Sequence, residues 1–195
     1  MGSRRCFEML SDIPDNSFSV VLADPPWQYR DVWVDYPTMS LEEVCDLSVA
    51  RVCKPDALLF LWATFPMMAE ALQVVEAWGF QYKTAAFLWV KLDSAGNPSW
   101  GEGNYTRSNT EPCLVATRGD GRSCLKQRDR IATHQVVQAR RHGHSRKPEE
   151  VRRRIEELTC GPYLELFARR PRQGWICLGN ELEPLQYRLM DDAEG

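Results

Sequence analysis

Phe18-Ser-Val-Val-Leu-Ala-Asp-Pro-Pro-Trp27 is the stretch that decides the fold. Val20, Val21 and Leu22 make a short apolar run rich in β-branched residues, the kind that forms a buried strand. The two prolines straight after it cannot continue a sheet, because proline has no N–H to give to a ladder. The chain must therefore leave the sheet at Asp24, which puts a carboxylate at the strand's C-terminal end. Beside it the Pro25 carbonyl is a second acceptor, aimed by the stiff Pro25-Pro26 pair, and Trp27 adds a flat aromatic face. The same residues also admit a plainer reading, a strand ended by a proline turn with Trp27 in the core.

Working outward, strands alternate with helical segments. Ser40-Leu-Glu-Glu43 is a capping box opening a helix to about Lys54, with Leu41, Val44 and Leu47 on one face. A buried strand is expected over 57–63. Pro66 sits in the first turn of a helix that runs through Met68, Leu72, Val75 and Trp78 and closes on Gly79. A long, bent strand over 80–92 leads into a Gly-, Ser- and Asn-rich loop over 93–109 and a strand over 111–117. A polar, basic loop covers 118–130 and a short strand 135–139. Pro148 opens a helix to about Leu158, and strands over 163–168 and 175–178 complete the chain. This alternation predicts an α/β fold with a mostly parallel sheet, helices on both faces and functional residues at strand C-termini. The 195 residues suit one domain, 1–195, and show neither a repeat nor a linker.

Composition narrows the function classes. No apolar run approaches the ~18–20 residues of a membrane span, and the first residues lack the apolar stretch of a signal peptide, so a cytoplasmic location without membrane contact is expected. The seven cysteines are odd in number, scattered and never spaced C-x-x-C, which argues against a disulfide framework or a zinc site. His134, His142 and His144 have no supporting carboxylate or cysteine spacing, so no metal is expected. The net charge of −3 hides a division: residues 118–172 hold fifteen basic and seven acidic residues, a net of +8, while the remainder holds nine and twenty, a net of −11. An acidic chain with a basic segment downstream of its chemistry points to a phosphate-backbone partner, with Arg118, Arg122, Lys126, Arg128, Arg130, Arg140 and Arg141 as a nucleic-acid groove in loops within 93–146. Arg152-Arg-Arg154 reads instead as a solvated helix face.

The Asp-Pro-Pro-Trp stretch fits one chemical need. The exocyclic amine of adenine is a weak nucleophile because its lone pair is delocalised into the ring, and two acceptors on its N–H bonds draw that lone pair out. Asp24 and the Pro25 carbonyl supply those acceptors, and Trp27 offers a face for a flipped-out base. Attack on a sulfonium methyl is favourable enough that no strong general base is needed.

Several fragments then resemble one family, that of the mRNA N6-adenosine methyltransferase catalytic subunit and its bacterial and phage homologues. They are Ala23-Asp-Pro-Pro-Trp27, Tyr36-Pro-Thr-Met-Ser40, Leu59-Phe-Leu-Trp62, Trp89-Val-Lys91, Asn109-Thr-Glu-Pro-Cys-Leu-Val115, Arg146-Lys-Pro-Glu149, Glu165-Leu-Phe-Ala-Arg169 and Gly179-Asn180, in family order from Val20 to about Leu182. The resemblance implies a Rossmann-like class I methyltransferase fold that uses S-adenosylmethionine, in a permuted order with the catalytic motif ahead of the main cofactor strand. It also implies roles. Asp24, Pro25, Pro26 and Trp27 form the catalytic motif. Lys147 holds the cofactor's carboxylate, beside a helix N-terminus that also favours an anion. Asp24 lies near its amine, and Glu165, Arg169, Asn180 and Glu181 contact its amine and ribose regions. Tyr36 and Glu111 lie at the acceptor site. Where eukaryotic members have glycine, a His-Asn pair and glutamine, this chain has Ala168, Arg170-Pro-Arg172-Gln173 and Glu181.

The expected activity is S-adenosylmethionine-dependent N6-adenine methylation of nucleic acid, DNA in preference to RNA, with homodimerisation left open. The rival readings are RNA N6-adenosine methylation, methylation of another conjugated amine such as a glutamine or cytosine N4, and a catalytically dead nucleic-acid-binding partner subunit. Against the last, Asp24 and Trp27 are both intact.

Overall fold

A computed structural model describes residues 10–28, 37–101, 103, 105–127, 132–141 and 146–182. Its centre is a seven-stranded sheet in the order β5-β3-β4-β2-β1-β6-β7. The strands are β1 (Phe18–Ala23), β2 (Cys53–Trp62), β3 (Gln81–Leu92), β4 (Thr110–Arg118), β5 (Val136–Arg140), β6 (Tyr163–Leu166) and β7 (Trp175–Leu178). The helices are α1 (Leu41–Cys45), α2 (Val49–Val52), α3 (Met68–Ala77) and α4 (Glu149–Leu158).

The sheet is mostly parallel: β1 pairs in parallel with β2 and β6, β3 with β5, and β6 with β7. Among the described strands β4 alone runs against its neighbours β2 and β3. Among the described residues no helix separates β3 from β4, and a direct return of the chain gives an antiparallel pair, whereas a parallel partner needs a longer crossover. The connection between them consequently emerges at the end of the sheet where β1, β2 and β6 finish. Register shifts at Tyr82/Thr84 and Ala85/Phe87 are the bend expected in β3.

Alternation along the strands builds two cores. Val21, Ala23, Leu59 and Leu61 pack with Val44, Leu47, Val49, Val52, Val74 and Trp78, so α1, α2 and α3 cover one face. Val20, Leu22, Leu58 and Phe60 pack with Val151 and Ile155 of α4 on the other. Both flanks of β1 are thus dry, which explains its unbroken apolar run. The Trp78 indole donates to the Val44 carbonyl at 2.9 Å and ties α3 to α1.

Two expectations are corrected. The helix expected from the Ser40 capping box to Lys54 is two short helices. The box forms, with Glu43 N–H on Ser40 Oγ at 3.2 Å and Ser40 N–H on Glu43 Oε2 at 2.8 Å, but α1 ends at Asp46. Ser48 then starts α2, and Lys54, restricted by the following Pro55, already lies in β2. The strand expected over 163–168 stops at Leu166, because Phe167 takes a left-handed φ of 61° and turns the chain. The loop over 118–130 also contains a 3₁₀ turn, Gly121–Cys124. Among the described residues no helix is long and apolar enough to cross a membrane.

Candidate active site

The site is built at the C-terminal ends of β1, β2 and β6. Ala23, the last residue of β1, is in register with Leu61 of β2 and Leu166 of β6. The chain then leaves the sheet as expected, and its turn is fixed by the backbone: Trp27 N–H donates to the Pro25 carbonyl at 2.9 Å and Met39 N–H to the Pro26 carbonyl at 3.0 Å. The Pro25 oxygen is thus already engaged once, and a carbonyl retains a second lone pair. Trp27 is packed into the core at 6% exposure and its indole N–H has no partner among the described residues. Its burial matches the core reading of this tryptophan, and its indole N–H is an unspent donor.

Asp24 heads a chain of ion pairs. Both its oxygens accept from Lys147 Nζ, at 2.7 and 2.8 Å. The same ammonium reaches Glu111 Oε1 at 2.8 Å, and Lys91 Nζ holds Glu111 Oε2 at 2.8 Å. The two ammonium groups also lie over indole rings, Lys147 at 5.4 Å from Trp62 and Lys91 at 5.2 Å from Trp89. Two carboxylates and two ammonium groups give a neutral set, the condition under which charges persist away from water. The carboxylates are nonetheless unequal. Burial pushes Asp24 above its usual value against the pull of Lys147, with Glu111 adding to the rise. Glu111 resists burial and is held low because two lysines serve it. Lys147, facing both carboxylates, is held firmly protonated despite its burial.

A second pair flanks the first. Glu165, on β6, accepts from Arg152 of α4 at 2.7 Å. Burial outweighs that arginine and lifts Glu165 to about 7. Asp24, Trp62, Lys147, Glu165, Phe167 and Arg169 line one open cleft, together with Arg146 and Arg170. The strained Phe167 backbone forms part of its wall, and such strain persists where surrounding structure enforces it.

The residues expected from sequence divide by position. Asp24, Lys147, Glu165 and Arg169 share the cleft, and Glu111 adjoins it through Lys147. Asn180 and Glu181 follow β7 and are exposed, with Glu181 at 3.0 Å from Arg169. Tyr36, Arg128 and Arg130 fall outside the described residues. The described members of the expected basic groove lie at two ends of the sheet. Arg118 pairs with Ala57 at the start of the core run of β2 and its guanidinium donates to the Ala50 carbonyl. Arg122 lies in the adjoining 3₁₀ turn, and Lys126 donates to the Glu156 carbonyl near the far end of α4. These three sit at the opposite end of the sheet from Asp24, because β4 runs downward. Arg140 pairs with Leu92, and Arg141 N–H donates to the Leu92 carbonyl at 3.1 Å, so these two lie at the site end.

Sequence reading gave no role to Lys91, Arg146, Arg152 or Arg170. Lys91 belongs to the fragment Trp89-Val-Lys91 and meets Glu111 across paired strands, a link that only strand pairing supplies; Arg152, on the helix face expected to be solvated, has a side chain only 12% exposed.

A mostly parallel α/β sheet has Asp-Pro-Pro-Trp leaving an interior strand beside a charged cleft, and comparison with known proteins gives its family. The MT-A70 family model matches residues 18–181, and the chain belongs to that family. It is 34% identical to the Type II methyltransferase M.MunI of Mycoplasma sp, across 96% of this chain and 87% of the relative. It is 32% identical to the N(6)-adenosine-methyltransferase MT-A70-like protein of Arabidopsis thaliana, across 91% of this chain and 25% of that protein. With the Homo sapiens N(6)-adenosine-methyltransferase catalytic subunit METTL3 the identity is 30%, across 85% of this chain and 28% of the relative. The chain thus spans about a quarter of the N(6)-adenosine methyltransferases it matches.

Proposed function

We propose that this protein is an S-adenosylmethionine-dependent methyltransferase of adenine N6 in nucleic acid, and that its polymer is DNA. The observation that carries the reading is Asp24, placed at the end of β1 by two prolines and joined through Lys147 to Glu111. Family membership supports adenine N6 as the acceptor, and a nearly end-to-end match to a Type II methyltransferase favours DNA over RNA. The sheet is read as Rossmann-like with permuted order, β1 and its motif preceding β6, the main cofactor strand. One methyltransferase domain over 1–195, in the cytoplasm, fits this reading.

The donor set suits S-adenosylmethionine, whose amino-acid end carries both charges. Lys147, Arg146 and Arg170 are cations for its carboxylate end, while Asp24 and Glu165 are acceptors for its ammonium and hydroxyl groups. Arg169 and Glu181, already paired, with Asn180 complete the ribose side. When bound, the cofactor supplies a sulfonium methyl open to attack by a weak amine. The chain does the rest. Asp24 and the Pro25 carbonyl accept the two N6–H bonds and localise the nitrogen lone pair, and a carboxylate bound by Lys147 still has lone pairs to do so. Asp24, raised by burial, also takes up the surplus amine proton more readily than an ordinary aspartate. Trp27 and Glu111 are assigned to the acceptor base, as is Tyr36, which lies outside the described residues.

The test is to express the chain, digest DNA and RNA separately, and quantify N6-methyladenine by mass spectrometry. N6-methyladenine in DNA that disappears with Asp24→Asn is the expected result. Methylation confined to RNA would replace the polymer assignment, and an N4-methylcytosine product would replace the acceptor.

A further inference from the structure

The connection between β3 and β4 opens at the site end of the sheet, and the chemistry above does not use it. Its root is fixed. The Asp93 carboxylate accepts from Ala95 N–H at 2.8 Å and Asn97 N–H at 3.0 Å, Leu92 bridges Pro98, and Ser99 N–H donates to the Lys91 carbonyl at 2.7 Å. Beyond Ser99 the two limbs of the segment run against each other. A Cβ on Gly101 would overlap the Ser108 carbonyl oxygen, and one on Gly103 the Thr106 carbonyl oxygen, so glycine at both positions permits the approach. The result is a narrow arm. Trp100 is 77% exposed on one limb, Tyr105 is 100% exposed near the tip, and the Arg107 guanidinium lies 5.4 Å from the Trp100 ring centroid.

Large rings held in water on a fixed support point to an external partner. The place narrows the choice. Ser99 is bonded to the backbone of Lys91, whose ammonium holds Glu111, and Glu111 shares Lys147 with Asp24. Among the described residues, Arg107 on the arm and Arg140 and Arg141 on the adjoining strand end outnumber Asp93 at the root, which favours a polyanion over a second copy of this chain. An adenine drawn out of its stack leaves its neighbours without a face to stack on.

We infer that the arm is a base-stacking element for the nucleic-acid strand, an extension of the proposed function. Trp100 and Tyr105 take unpaired bases beside the adenine presented to Asp24, and Arg107 steadies the Trp100 ring while neutralising a phosphate.

The experiment uses the full chain with Trp100→Ala, Trp100→Phe, Tyr105→Ala and Arg107→Ala, and adenine-containing oligonucleotides with 2-aminopurine next to the adenine. Trp100→Ala should raise KM about tenfold with kcat changed less than about twofold, abolish the parent's 2-aminopurine fluorescence change, and leave the melting temperature unaltered. Trp100→Phe should restore most of the loss, and Arg107→Ala should lower the salt dependence of binding by about one contact. A parent that methylates adenine while Trp100→Ala matches it in KM and in 2-aminopurine signal would overturn the arm's role and leave the proposed function standing. Loss of a dimer in sedimentation, with KM unchanged, would reassign the arm to a second copy of this chain. A parent that methylates no nucleic acid takes down both.

Discussion

On the outer face of α4, Arg153 pairs with Glu150 at 2.6 Å and also with Glu157, and Arg154 reaches Glu150 at 2.9 Å; at the end of β1, Lys147 pairs with Asp24 at 2.7 Å and Glu111 at 2.8 Å. The residue types and distances are nearly the same. On the helix, hydrogen bonds from Arg153 and Arg154 hold Glu150 down to about 2, because little burial opposes them. Beside β1, burial opposes every charge, so Asp24 rises while Glu111 falls, although they share one lysine. Distance alone therefore does not rank ion pairs. Water replaces a lost partner on the helix face and cannot do so in the buried set.

Removing the shared cation should break the comparison most sharply. Lys147→Met leaves Asp24 and Glu111 as neighbouring carboxylates with Lys91 paired to Glu111 alone, and should cost about 3–5 kcal/mol of folding stability in urea titrations, with loss of cofactor affinity by calorimetry. A cost below about 1 kcal/mol would mean that the cluster is as well hydrated as the helix face.

Asp24→Asn separates stability from chemistry. The amide keeps the shape and leaves Lys147 paired with Glu111, so melting should change little, while single-turnover methylation should fall about 100-fold or more, as when one preorganised group at a reacting centre is removed. A normal rate would end Asp24's proposed role.

Glu165 supplies a pH test. Its folded-state value of about 7 exceeds the ordinary 4.5, so the native protein binds the extra proton between those values. Its contribution is complete below about pH 4.5, declines as pH rises and is gone above about 7, a change on the order of 3 kcal/mol. Glu165→Gln should flatten that part of the stability profile of the cofactor-free protein. An unchanged slope would show that Arg152, not burial, governs the carboxyl.

The smallest effect belongs to the helix face. Arg153→Ala should leave the melting temperature unchanged within error, since its guanidinium is half exposed and both its partners remain hydrated. A marked drop would show that the ladder acts as a unit.

The sequence by itself determined what depends on neighbours within a few residues. The apolar run of β1 and its exit at Asp24 follow from side-chain polarity and from proline's missing N–H. The Ser40 capping box and Gly79 at φ 76°, closing α3, are local hydrogen-bond and steric facts, legible without a fold. Only the tertiary structure decided that β4 enters antiparallel between β2 and β3, which sends Arg118 and Lys126 to the far end and raises the Trp100 arm at the near one. Only it joined Lys147 to Asp24, 123 residues away, and buried Trp27 beneath the turn it follows. Charge counts along the chain register how many cations a segment holds. Which carboxylate each one meets, and whether water is present there, depends on strand order, and strand order is set by the packing of both sheet faces at once.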